Sequence, residues 1–148
     1  MAMLDYHLAI ARLLQKDRRY HRDAYLFVFE ALDYAQRVLG LGRDSVSEPN
    51  PAGPQEESAR PQRHVTGQEL CEAIRRYALE QYGYMAKTVL NSWGVYSTGD
   101  FGEIVYNLIR IGQMRKTPQD RREDFDDVYQ FDTAFESEFR ITLPDQRG

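Results

Sequence analysis

Four of the six prolines in this 148-residue chain fall between Arg43 and Gln62: Pro49, Pro51, Pro54 and Pro61. Serines, Asn50 and Gly53 lie among them, and Val46 is the one large apolar side chain. Such a stretch cannot bury enough apolar surface to offset the entropy lost on ordering it. Residues 43–62 are therefore expected to form a flexible linker or long loop. The break divides the chain into an N-terminal piece, 1–42, and a C-terminal piece, 63–148, and any core has to be assembled from these two.

The first piece reads as a helical hairpin. Tyr6, Ala9, Ile10, Leu13 and Leu14 recur at one helical face. After the charged run Lys16-Asp17-Arg18-Arg19, a second helix is expected from about Asp23. Ala24 to Phe29 is apolar all round, which points to burial on several sides, and a short strand is the competing reading. Ala31, Ala35, Val38 and Leu39 extend the face set by Phe27 and Val28, which favours helix, and Gly40 followed by Leu41 has the form of a Schellman-type end. Two helices of this length cannot close a core alone.

The second piece opens with Thr66-Gly67-Gln68-Glu69, a capping box, with Val65 and Leu70 placed as a hydrophobic staple. That helix should end at Gly83. A short helix carries Met85, Val89, Leu90 and Trp93 and stops at Gly94. A third begins at Ser97 or Thr98, with Asp100 in its first turn and Phe101, Ile104, Val105 and Leu108 inward, and ends at Gly112. Met114–Thr117 and Val128–Phe131 are compatible with two strands joined by a polar turn. Helix, short helix, turn, helix and hairpin is the order of a winged helix-turn-helix domain, and residues 64–131 resemble one. The expected fold is mainly α with a small β-hairpin: a winged-helix-like C-terminal part, followed by an acidic segment, packed with the N-terminal helical hairpin.

The whole chain also resembles a small uncharacterised protein family of planctomycetes and verrucomicrobia. The resemblance rests on Arg22–Val28 with Glu30–Tyr34, His64–Leu70, Ala78–Gly83, Asp100–Val105 with Asn107-Leu108, and Arg122–Phe125 with Asp127–Tyr129. It spans both pieces and implies that they form one unit. It implies no activity, substrate or cofactor.

Composition narrows the functional classes. Hydrophobic residues make up 42% and charged residues 28%, so a core is within reach and wholesale disorder is not expected. The formal net charge of −4 leaves no overall basic footprint for nucleic acid. Cys71 is single, so one chain can form neither an internal disulfide nor a cysteine-based zinc site. No apolar run reaches membrane-spanning length, and Met1–Leu14 lacks the basic start of a signal peptide. A cytoplasmic protein without membrane attachment is the expectation. No cofactor or metal site is implied: His7, His21 and His64 lack ligand spacing, and Gly99-Asp100-Phe101-Gly102 lacks the form and lysine of a phosphate loop.

Four groups of residues remain as candidates. On the third helix, Gly102, Glu103, Tyr106, Asn107 and Arg110 should face outward, and Asn107 and Arg110 carry base-reading chemistry. Arg115, Lys116, Arg121 and Arg122 would supply phosphate contacts from the wing. Near the N-terminal turn, Arg18, Arg19 and Arg22 could hold phosphate or a partner's acidic strip. Finally Glu123, Asp124, Asp126, Asp127, Asp132, Glu136 and Glu138 occur with no base among residues 123–138. That acidic stretch would repel a duplex lying along it, and Asp124, Asp126 and Asp127 suit a basic partner instead. The leading expectation is a non-enzymatic regulatory or adaptor module binding another protein. A winged-helix DNA-binding regulator is the alternative. A small enzyme is the third, and a deep pocket lined by Tyr, His and several carboxylates would favour it.

Overall fold

The computed structural model of the chain describes residues 2–40, 43–44 and 63–137, with side-chain detail over 7–40 and 64–135. It is mainly helical. Helix α1 (Ala2–Lys16) buries Ile10 and Leu13, as its apolar face requires. Helix α2 (Arg22–Asp33) begins one residue earlier than expected, because His21 serves as N-cap and its Nδ1 accepts from the Asp23 amide at 3.0 Å. Ala24, Tyr25, Phe27, Val28 and Ala31 are buried, which accounts for the apolar run around this helix.

A π-helical turn, Tyr34–Val38, continues α2. It corrects the expected face: Ala35 is buried, but Val38 is 66% exposed. A π turn takes more residues per revolution than the α-helical spacing assumed, so residues beyond it rotate off the inherited face. Gly40 follows with φ +66°, while Leu41 lies outside the described residues. So does most of the expected linker; its first two residues, Arg43–Asp44 (β1), pair antiparallel with Arg63–His64 (β2).

Helix α3 (Gly67–Tyr82) starts on the expected capping box: Thr66 Oγ1 accepts from the Glu69 amide at 3.1 Å, and Glu69 Oε1 accepts from the Thr66 amide at 2.9 Å. A 3-10 turn (Gly83–Met85) leads into α4 (Ala86–Ser92), which ends at Gly94 with φ +90°. Helix α5 (Thr98–Arg110) has Ser97 as N-cap, and Asp100 Oδ2 accepts from the amides of Tyr96 and Ser97. Phe101, Ile104, Val105 and Leu108 are buried as expected.

The hairpin is not formed. Among the described residues, Met114–Thr117 and Val128–Phe131 carry no strand. Each finds its partners on helices or in local turns instead. Gln113 bonds back to the Leu108 carbonyl, and Asp120 Oδ2 caps the Thr117 amide at 2.8 Å. The Val128 amide donates to Thr98 Oγ1, and the Tyr129 hydroxyl donates to the Cys71 carbonyl at 2.7 Å. The strand-like alternation of Tyr129 and Phe131 reflects packing onto Phe101 and Phe135. In place of a wing, a 3-10 turn (Arg122–Phe125) lies on α5. Phe125 enters a slot between two glycines: a Cβ on Gly67 would stand 3.0 Å from its ring, and one on Gly102 would stand 2.9 Å from its Cβ. A second π-helical turn, Thr133–Ser137, follows.

One core joins both pieces. Ile10, Leu13, Tyr25, Phe27 and Val28 cluster with Leu70, Ile74, Leu90, Ile104 and Leu108. The Phe27 ring meets Tyr77 at 5.3 Å and Trp93 at 5.5 Å. The seam is also made by backbone: the His21 amide donates to the Trp93 carbonyl at 3.0 Å. A Cβ on Gly94 would stand 2.2 Å from the Arg19 carbonyl oxygen, so this approach needs glycine twice over, for space and for φ.

Candidate functional site

The expected recognition face of α5 is covered. Gly102 and Asn107 are buried, and Glu103 is bridged from two sides. Asn107 Nδ2 donates to Asp17 Oδ2 at 3.0 Å and to the Tyr25 hydroxyl at 3.1 Å, while its Oδ1 accepts from Arg110. Its hydrogen-bonding capacity is spent inside the fold, so Asn107 is placed as a brace and not at a surface from which bases are read. Arg110 is exposed but tied to that amide.

Arg19 and Arg122 converge on Glu103 from opposite sides. Arg19 bonds Asp17 at 2.7 Å and Glu103 at 3.1 Å, and Arg122 bonds Glu103 at 2.5 Å and Asp126 at 2.7 Å. Hydrogen bonds from Arg122, and next from Arg19, hold the Glu103 carboxyl below its ordinary range against the opposing effect of burial. The Arg19 hydrogen bond holds Asp17 well below that range too, helped by Asn107 and opposed by burial. Tyr20 donates to Asp100 at 2.6 Å, and burial, then this bond, pushes its phenol up. This network fastens the 17–20 turn and the 122–126 turn to α5. Sequence spacing could not reveal it, because the ties from the 17–20 turn to α5 span 80 to 90 residues, and Arg122 meets Glu103 across 19.

The other candidates scatter. Arg18 is exposed, and Arg22 bonds His7 Nδ1 at 2.8 Å. Asp124 Oδ2 accepts from the Arg121 amide, Asp127 is exposed at φ 53°, and Asp132 pairs with Lys87. Glu138 and the Glu136 side chain lie outside the described residues. His7, His21 and His64 each meet a different partner, and no three His, Cys, Asp or Glu side chains gather into a metal-binding group among the described residues. Burial pushes the Cys71 thiol up to about 12, so it stays protonated and packs as a small apolar group.

Arg115, Lys116 and Arg121 do come together, on the lip of a groove with a cavity volume of about 820 Å3. Its walls are α2 and the turn after it, β2 with the start of α3, the C-terminal half of α5, and the loop 112–125. Phe29, Leu32, Val65, Ile109 and Met114 are partly buried and floor it. Three carboxylates border it, each already engaged: Asp33 with Arg37 at 2.9 Å, Asp120 with His64 at 3.0 Å, and Asp124 with the Arg121 amide at 3.0 Å. Arg115, Lys116 and Arg121 form no ion pair among the described residues. Tyr106 also lines the groove; its hydroxyl is buried without a hydrogen-bond partner among the described residues, and burial pushes its phenol up.

Comparison with protein-family models, with curated proteins and with solved structures finds no match to the chain. Among the described residues no helix is long and apolar enough to cross a membrane.

Proposed function

We propose that the protein is a non-enzymatic adaptor or regulatory module that recognises another protein through the groove beside α5. The observation that carries this reading is an apolar floor bordered by three cations that the described residues leave unpaired. The helix order α3, α4, α5 keeps the resemblance to a helix-turn-helix domain as a matter of architecture. The DNA-binding alternative loses support from the burial of Asn107 and from the engagement of Arg122 by Glu103 and Asp126. The family resemblance contributes the unity of the two pieces and no chemistry.

The test is affinity capture with the full chain, with and without nuclease, alongside duplex DNA binding over a salt series. A nuclease-insensitive partner that the Arg115→Ala/Lys116→Ala variant captures poorly supports the adaptor. Duplex binding that weakens with rising salt and loses slope in that variant supports the DNA regulator.

One feature favours a second reading, the small enzyme. The groove brings His64, held by Asp120, to the same cavity as the Tyr106 hydroxyl, which has no hydrogen-bond partner among the described residues, an arrangement from which a general base operates when its proton donor lies within reach. Turnover of a panel of ester, amide and phosphoester probes that is abolished by His64→Gln supports the enzyme over the adaptor.

A further inference from the structure

We infer that the groove takes a short segment of a partner protein in which large apolar side chains stand beside a brief run of aspartate or glutamate. This rests on the adaptor reading and deepens it by naming the partner's chemistry.

The floor and the lip select different parts of such a segment. Phe29, Leu32, Ile109 and Met114 are only partly buried by the fold, so apolar side chains placed on them complete their removal from water. The lip supplies positive charge that no carboxylate pairs among the described residues: Arg115 and Lys116 are exposed, and Lys116 meets the Thr117 carbonyl at 3.5 Å. Of the bordering carboxylates, Asp33 is paired with Arg37, while Asp120 and Asp124 keep their charge in their hydrogen bonds; four cations, Arg37, Arg115, Lys116 and Arg121, against these three carboxylates still leave the lining positive. A short acidic run is attracted there, and a basic one is repelled.

Shape and surroundings separate a peptide from the other polyanions and acids. The lip stands in solvent, so a chain laid across it fits better than a small ligand, which typically has roughly 70–90% of its surface enclosed. A continuous polyanion such as a nucleic acid strand would run from Arg121 onto Glu123, Asp126 and Asp127, all exposed. A brief acidic run ends before them.

The test uses the full chain and short fluorescein-labelled peptides of three designs. One combines leucine and phenylalanine with glutamate. The second replaces glutamate by lysine, and the third replaces the apolar residues by serine. Fluorescence anisotropy should show the first binding roughly tenfold or more tighter than either other. Arg115→Glu/Lys116→Glu, at two exposed loop positions, should reverse the preference toward the lysine design. Equal binding of all three designs, or no binding of the first, overturns the inference. So does preferential binding of single-stranded nucleic acid at the lip. Displacement of the first peptide by one spanning residues 45–62 would assign the groove to the chain itself, and a dimer abolished by the double variant would assign it to a second copy. Both results also overturn the inference. If the peptides fail while the captured partner still binds, the adaptor reading stands without this refinement; if capture fails as well, both fall.

Discussion

Replacing Gly94 by alanine should destabilise the protein through a contact that joins its two pieces. The new Cβ would lie 2.2 Å from the Arg19 carbonyl oxygen, in a residue whose φ is +90°. The backbone conformation alone costs an L-residue about 1–2 kcal/mol. Relieving the collision requires the 19–21 turn to retreat, which also stretches the His21 amide bond to the Trp93 carbonyl, worth about 0.5–1.5 kcal/mol. The sum is roughly 1.5–3.5 kcal/mol, a large share of the stability of an ordinary domain. Gly112→Ala is the matched control: its φ is +78°, yet nothing lies within 4 Å of the added Cβ. It should lose about 1–2 kcal/mol from conformation alone. Urea denaturation followed by Trp93 fluorescence reads both variants, and equal slopes license comparison of their midpoints. If Gly94→Ala melts no earlier than Gly112→Ala, the close approach of the two turns is not a feature of the folded protein.

Three further outcomes are expected. Gly102→Ala should destabilise the wild-type background but do so much less in a Phe125→Gly background, because the atom nearest the added Cβ is the Phe125 Cβ, at 2.9 Å; strict additivity in a double-mutant cycle would show that Phe125 does not fill the glycine slot. Thr66→Ala should cost about 1 kcal/mol in denaturant melts by removing the cap of α3, and no measurable change would mean that the helix gains nothing from it. Folding lowers the carboxyl pKa of Asp17 and of Glu103, so the unfolded chain takes up those protons first. The stabilisation is complete above the ordinary carboxylate value of about 4 and drains away as pH falls through the lower folded values. Asp17→Asn/Glu103→Gln should therefore flatten the acid limb of the stability–pH curve, and an unchanged limb would rule out the Arg19 and Arg122 bridges as its source.

What could be read from sequence was what is encoded locally. The capping box at Thr66 and the stops at Gly83, Gly94 and Gly112 need only a few neighbouring residues, and they stand where the pattern put them. The inner face of α5 follows from period alone. Its outer face did not, because Asn107 and Glu103 look like surface residues until Asp17, Tyr25, Arg19 and Arg122 arrive from distant turns. The strand reading failed for a related reason: alternation in Val128–Phe131 is compatible with a pleat, but the bonds go to Thr98 and Cys71 on helices. The groove was half legible. Arg115, Lys116, Arg121 and Arg122 were visible as a basic cluster, but the pairing of Arg122 with Glu103 and Asp126 was not, and the Leu32 and Ile109 floor depends on how α2 and α5 pack.

The ties that complete the N-terminal hairpin run to residues made much later: Tyr20 to Asp100, Tyr25 and Asp17 to Asn107. The shortest of these separations is 80 residues. At a usual synthesis rate of about 5–20 residues per second, a ribosome needs roughly 4–16 s to bridge it. For that interval Ile10, Leu13, Tyr25, Phe27 and Val28 have no α5 to pack against. A helical protein normally closes its contacts among near neighbours and folds fast, but here the decisive ones are long-range, so completion of the native core waits until α5 has been made. The nascent N-terminal segment is thus a natural client for chaperones that shield apolar helices, and a chain truncated before Asn107 should be recovered bound to them or aggregated.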